Sequence, residues 1–97
     1  MKSKLQIGPD GFSPPIHIGK KWTLEIERRT GAINRIVGYI TEAHSAMTVT
    51  YVFQPNGIDI SAIYSDIQLL AKHGVNIPYH VSRRLFQLMR KTVKSLR

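Results

Sequence analysis

The sequence predicts an α+β fold, in which an antiparallel β-meander of three to four strands is followed by two helices. In residues 16–57, apolar and polar side chains alternate with the period of two that is typical of strands with one buried face. In residues 58–97, apolar side chains instead recur every three to four residues, which is typical of amphipathic helices. Because strands joined by short loops pair antiparallel, the strands form one sheet, and we expect the helices to cover one of its faces.

The first long strand is predicted from an alternating run that begins at Trp22. Trp22, Leu24 and Ile26 fall on one face, and threonine and glutamate side chains fall on the other. Such alternation marks a half-buried strand, so we expect Trp22 to lie in the core. Residues 15–18 are a candidate fourth strand ahead of it, and the glycine-containing segment 28–32 is predicted to be a hairpin loop.

Two further strands complete the predicted sheet. Residues 35–41 are apolar on both faces, which predicts a central strand or one that is covered on both sides. Residues 47–53 carry apolar side chains at the odd positions from Met47 to Phe53, and threonines occupy positions 48 and 50. The Gln-Pro-Asn-Gly segment at 54–57 is a strong turn signal that ends this strand.

The first predicted helix has sequence signals at both of its ends. Asp59 or Ser61 can accept a hydrogen bond from the free N–H groups of its first turn. Gly74 is expected to adopt a left-handed conformation that stops it, and Pro78 then opens the second helix. Its predicted core-facing residues are Ile60, Ile63, Tyr64, Ile67, Leu70 and Ala71.

The second helix is predicted to have one buried face and one cationic face. Projected at about 100° per residue, its apolar residues share one side, and the basic residues lie on the other, with Arg84 at one flank. We expect Leu85 of this helix and Ile67 of the first helix to lie at the centre of the core. The apolar side carries Val81, Leu85, Leu88, Met89, Thr92, Val93 and Leu96, and the basic side carries Arg83, Arg90, Lys91, Lys94 and Arg97.

The positive charge of the chain is concentrated at its helical end. The 97 residues have a formal net charge of +8. Residues 1–66 hold seven basic and six acidic side chains, whereas residues 67–97 hold seven basic side chains and none that is acidic. Such asymmetry indicates an acidic partner, of which nucleic acid is the commonest and an acidic protein surface the next.

Length and composition predict one domain, at residues 15–97, preceded by a flexible arm at residues 1–14 that is rich in Gly and Pro. There is no cysteine, and the four histidines are scattered without ligand spacing, so we expect neither a metal nor a cofactor. No apolar run is long enough to cross a membrane, and the default expectation is a cytoplasmic protein. The sequence contains no nucleophile elbow, phosphate-binding loop or paired carboxylates, which argues against an enzyme.

A resemblance to a known family is carried by the Ser-Pro-Pro-Ile-His-Ile segment at 13–18, the strand pair around Gly31, the L-L-x-x-x-G-V-x-I pattern from Leu69 to Ile77, and Arg83, Leu85 and Leu88. In these features and in the order of its elements, the chain resembles the leading segment of a domain of unknown function that is attached to helicase-type and primase-type ATPases of mobile genetic elements. The resemblance covers most of the chain. It implies an accessory domain of a replicative helicase, as found in staphylococcal cassette chromosomes and phage satellites, so that residues 1–97 are expected to be part of something longer. The family's ATPase motifs have no counterpart here, and ATP binding is not implied.

Two functions of different classes follow from these observations. The first is a DNA replication module that contacts nucleic acid, with single-stranded DNA favoured, helped by exposed aromatic residues such as Trp22, Tyr39 or Tyr79. The second is a docking module that links a helicase ATPase to an acidic surface of a primase, polymerase or loader. A winged-helix duplex reader is disfavoured, because the strands precede the helices. The predicted nucleic-acid-binding residues are Arg83, Arg84, Arg90, Lys91, Lys94 and Arg97.

Overall fold

The computed structural model describes residues 6–30, 35–55 and 60–95. The predicted α+β meander is confirmed, including the fourth strand at its start. The strands form one antiparallel sheet in the order β1-β2-β3-β4, and both helices follow it in the chain. The elements are β1 (Ile16–Ile18), β2 (Trp22–Arg29), β3 (Arg35–Ala43), β4 (Thr48–Phe53), α1 (Ala62–Lys72) and α2 (Tyr79–Ser95).

The register of β2 and β3 brings apolar residues of the two strands together on the helix-covered face. Leu24 is opposite Ile40, and Ile26 is opposite Gly38. Residues that are directly opposite in a sheet share a face, so these pairs form the floor of the core. Trp22 is 8% exposed and belongs to the same core, as the alternation of β2 predicts.

Strand β3 is central and is buried on both of its faces. Ile36 and Ile40 face the helices, whereas Val37, on the opposite face, is also fully buried. Phe12 pairs with Glu27, which is the partner of Val37 in β2, and its ring lies 6.1 Å from the ring of Tyr39. The segment before β1 therefore contributes an aromatic ring to the second face of the sheet.

Residues 11–13 extend the sheet alongside β2, beyond the end of β1. The N–H of Ser13 donates to the carbonyl of Ile26 at 2.8 Å, and the N–H of Ile26 donates to Ser13 Oγ at 2.9 Å. The N–H of Arg28 donates to the carbonyl of Gly11 at 2.8 Å. The last residues of the predicted arm are thus attached to β2, and residues 1–5 lie outside the described residues.

Helix α2 lies against β2 and β3 and supplies most of the helical core. All of its predicted apolar positions that the structure describes are buried, and Leu96 lies outside the described residues. The buried positions of α2 are Val81, Leu85, Leu88, Met89, Thr92 and Val93.

Helix α1 is more peripheral than its stripe predicts. Ile63 is fully buried, but Ile67 is only partly buried, so the prediction that Ile67 lies at the centre of the core is wrong. Tyr64 is 45% exposed, and Ala71 is also exposed. The physical reason is that α2 covers the two middle strands, which leaves α1 to reach the core mainly through its first turn.

The ends of the helices follow most of the predicted signals. Gly74 has a φ of 88°, its N–H donates to Ala71, and the N–H of Val75 donates to Leu70, which together form a Schellman motif. The carbonyl of Pro78 accepts the first hydrogen bonds of α2. Ser61 occupies the N-cap of α1 in a helical conformation and makes no side-chain capping bond, and the alternative cap, Asp59, lies outside the described residues.

Several strand boundaries differ from the prediction by one or two residues, since β2 continues to Arg29, β3 continues to Ala43, and β4 starts later than predicted. Strand β4 begins at Thr48, and Met47 precedes it with 60% of its surface exposed. The carbonyl of Met47 accepts a hydrogen bond from the N–H of His44, which makes residues 44–47 a tight turn. Met47 therefore belongs to this turn and not to the buried face of the strand.

Candidate nucleic-acid interface

The exposed face of α2 carries the predicted cationic surface. This helix buries one side against the sheet, so its amphipathic pattern forces the remaining side chains into solvent. Arg97 lies outside the described residues, so nothing is said of its placement. The exposed basic residues of this cationic surface are Arg83, Arg84, Arg90, Lys91 and Lys94.

The cationic surface spans about a third of the circumference of α2, as a projection at about 100° per residue shows. Arg90 lies at one border of this arc and Arg84 at the other. His80 and Gln87 lie between them, and both are exposed. No acidic residue follows Asp66 in the sequence, so no carboxylate side chain interrupts the arc.

A shallow depression lies within the cationic surface, near the end of α2. It has a volume of about 230 Å³ and is lined by Gln87, Arg90, Lys91 and Lys94. The arginine and the two lysines can only donate hydrogen bonds, whereas the glutamine amide can both donate and accept. Such a lining suits a phosphate or a carboxylate.

Aromatic side chains border the cationic surface on the side that faces α1. The guanidinium of Arg90 lies 6.0 Å from the centroid of the Phe86 ring, which is within the range of a cation–π contact. The Phe86 ring lies 4.5 Å from the ring of Tyr64 in α1, with an interplanar angle of 32°. Tyr79, at the start of α2, is 74% exposed.

Of the three aromatic residues that the sequence offered for base stacking, only Tyr79 is well placed. Trp22 is a core residue, as the alternation of β2 predicts, so it is not placed to stack on a base. Tyr39 is partly buried beside Phe12, and its phenol donates a hydrogen bond to Glu27. Burial, followed by the hydrogen bond to the Glu27 carboxylate, raises the pKa of Tyr39.

Sequence reasoning missed the contribution of Tyr64 and Phe86 to this border. The apolar stripe of α1 predicts a core position for Tyr64, and Phe86 lies between the buried and the cationic sides of α2. Their contact depends on how the two helices cross, which periodicity within each helix does not encode. One weak indication of the contact between Phe86 and Arg90 is present in the sequence, because residues four positions apart are neighbours on a helix surface.

Two carboxylates of the sheet, those of Glu27 and Glu42, form ion pairs with neighbouring basic residues. Lys21 Nζ lies 2.8 Å from Glu42 Oε2, and Arg29 Nε lies 3.0 Å from Glu27 Oε2. The hydrogen bond from Lys21 is the main cause of a lowered pKa at Glu42, and the hydrogen bond from Arg29 has the same effect on the pKa of Glu27. These charges are balanced locally, which leaves the field of α2 positive.

The described part of the chain contains no group of three or more His, Cys, Asp or Glu side chains that is arranged to hold a metal ion. Within residues 6–30, 35–55 and 60–95, no helix has the length and apolar character needed to span a membrane. Comparisons with protein families, with curated proteins and with solved structures find no match to this chain.

Proposed function

We propose that this protein is a non-catalytic module that contacts single-stranded nucleic acid, with single-stranded DNA favoured, through the cationic surface of α2. The observation that carries the proposal is the exposure of five basic side chains on one helix face, in a part of the chain that has no acidic side chain. Basic residues that neutralise phosphates release condensed counterions, which is the main source of sequence-independent affinity.

A single strand fits this surface better than a duplex does. The aromatic border formed by Tyr79, Tyr64 and Phe86 adjoins the arginines, and aromatic faces can stack only on bases that are not already stacked in a duplex. Asn and Gln side chains are the usual groups that recognise the edge of adenine, and Gln87 is the single residue of these two types on the described cationic surface. Binding is therefore expected to show little sequence preference.

The proposal is tested by measuring the affinity for a fluorescent single-stranded oligonucleotide across a series of salt concentrations. Contact with about three to five phosphates gives a log–log slope of roughly −2 to −4 for single strands. A duplex of the same length serves as the competitor and is expected to compete less well per phosphate. Absence of binding at low salt contradicts the proposal.

The wider role as an accessory domain of a mobile-element replicative helicase is a hypothesis that depends on the resemblance in sequence pattern. Docking to an acidic surface of a primase, polymerase or loader uses the same cationic face. The salt titration together with a pull-down distinguishes nucleic-acid binding from protein docking. A stable complex with a replication protein, in the absence of any oligonucleotide binding, would favour docking.

A further inference from the structure

A second depression lies between α1 and α2, next to the cationic surface. It has a volume of about 280 Å³, and its lining is mainly apolar and aromatic. We call it the interhelical groove. The residues that line it are Tyr64, Ile67, Gln68, Ile77, Tyr79 and Ser82.

The groove has two exposed aromatic walls and a polar group below its surface. Tyr64 is 45% exposed and Tyr79 is 74% exposed, although both are large side chains that a folded domain tends to cover. Ser82 is 6% exposed, and its Oγ has no hydrogen-bond partner within the described part of the chain. A buried hydroxyl without a partner is unfavourable, so a ligand that supplies the partner would be favoured.

The groove and the cationic surface are continuous. Arg83 follows Ser82 directly and lies one helical turn after Tyr79, so it stands at the rim of the groove. On the other side, Tyr64 contacts Phe86, and Phe86 contacts Arg90. A molecule that occupies the groove therefore has guanidinium groups beside it.

We propose that the interhelical groove is a subsite for a single nucleobase of the strand whose phosphates lie on α2, which is an inference that rests on the proposed function. A base supplies a flat apolar face for the tyrosines and polar edge atoms for Gln68 and, after rotation about χ1, for Ser82. Its own phosphate remains at the rim beside Arg83. An aliphatic side chain of a partner protein would fill the groove but would leave the Ser82 hydroxyl unpaired.

The test compares an oligothymidylate with an oligonucleotide of the same length in which abasic sites replace the central bases. Both carry the same phosphates, so only base contacts distinguish them. The parent protein is expected to bind the oligothymidylate about tenfold or more tightly, given the usual gain from stacking one base on an aromatic side chain. The double variant Tyr64→Ala/Tyr79→Ala is expected to lose this preference while it keeps the salt slope.

The matched control is Leu69→Ala/Val52→Ala, which removes two exposed apolar side chains that do not line the groove. This control is expected to keep the preference, and thermal melting checks that both double variants are folded. In addition, an oligonucleotide with 5-iodouracil is expected to crosslink to Tyr64 or Tyr79 under ultraviolet light.

The outcomes separate this inference from the proposed function. If the parent binds both oligonucleotides equally, with a normal salt slope, the groove is not a base subsite and the phosphate surface stands. If neither oligonucleotide binds at low salt, both proposals fail. If an acidic amphipathic peptide, but no oligonucleotide, shifts the NMR signals of Tyr64 and Tyr79, the occupant of the groove is a protein and the inference is overturned.

Discussion

A Cβ atom placed on Gly38 of β3 would lie 2.7 Å from Sδ of Met89 in α2. The same atom would lie 3.1 Å from Cδ1 of Leu85. The absence of a side chain at this point of the central strand is what lets α2 approach the sheet closely. Met89 and Leu85 are both fully buried there, so neither side chain can move aside into solvent.

Replacement Gly38→Ala is expected to destabilise the protein by about 1–3 kcal/mol, because it overpacks a full core. Met89→Ala alone is expected to cost about 2–5 kcal/mol through the cavity that it creates. In the double variant the new methyl group occupies part of that cavity. The double variant should therefore lose less stability than the sum of the losses of the two single variants. Urea denaturation of the four proteins measures this coupling, and simple additivity would contradict the close approach.

Replacement Leu85→Ala is expected to lower the free energy of unfolding by roughly 2–5 kcal/mol, the range for truncating a buried leucine. Leu85 is fully buried between α2 and the sheet. Leu69→Ala is the matched control, since Leu69 is 55% exposed on α1 and has little surface to lose. Equal denaturation midpoints for the two variants would show that the stripe of α2 is not the core.

The fold could be predicted from the sequence because each element is encoded by its own periodicity and by the turn residues at its ends. The alternation in β2, the doubly apolar run in β3 and the glycine after α1 are all local signals. The depth of α1 could not be predicted in this way. A stripe such as that from Ile63 to Leu70 shows which face turns inward, but not that the neighbouring helix already covers the middle of the sheet.

The candidate site was also predictable in one part and not in the other. The exposure of Arg83, Arg90 and Lys94 could be predicted, because the buried face of one helix determines its exposed face. The groove between the helices could not, since Tyr64 and Ser82 are brought together only by the crossing of two elements. Local patterns carry no information on that crossing.

Replacement Ser13→Ala is expected to cost about 1–3 kcal/mol, because it removes the acceptor of a buried backbone donor. The Ser13 side chain is 3% exposed and accepts from the N–H of Ile26 at 2.9 Å. Deletion of residues 1–5 is expected to leave the melting temperature nearly unchanged, whereas deletion of residues 1–11 also removes the Gly11 carbonyl that accepts from the N–H of Arg28 and is expected to lower it. A larger loss from deletion of residues 1–5 than from Ser13→Ala would contradict this expectation.

Stability is expected to fall as the solution is acidified below the ordinary pKa of glutamate, about 4.5. The hydrogen bond from Lys21 lowers the pKa of Glu42 in the folded state, so the folded protein binds fewer protons than the unfolded chain there. The stabilisation is present above the unfolded pKa and is lost as the pH falls through the folded pKa. Glu27, whose pKa is lowered mainly by Arg29, adds in the same direction.

Replacement Glu42→Gln should therefore lower stability at neutral pH and flatten its dependence on pH in the acidic range. Urea midpoints measured between pH 7 and pH 3 provide the curve, and Glu25→Gln on the opposite face of β2 is the matched control. A Glu42→Gln protein that loses as much stability on acidification as the parent would show that the pair with Lys21 contributes nothing to the pH dependence.

The double charge reversal Arg90→Glu/Lys94→Glu is the direct test of the cationic surface. Both side chains are exposed, and neither belongs to the core, so the fold is expected to persist. Affinity for single-stranded DNA should fall for all sequences alike, and the log–log salt slope should become shallower by about 1.4 if two phosphate contacts are lost. The control Lys20→Glu/Arg35→Glu makes the same change in net charge at two exposed positions away from α2, one in the turn before β2 and one at the start of β3. Because long-range attraction depends on net charge but phosphate contact depends on position, the control should retain the slope. If both double variants bind as the parent does, α2 does not contact the strand, and docking to an acidic protein surface becomes the better account of its charge.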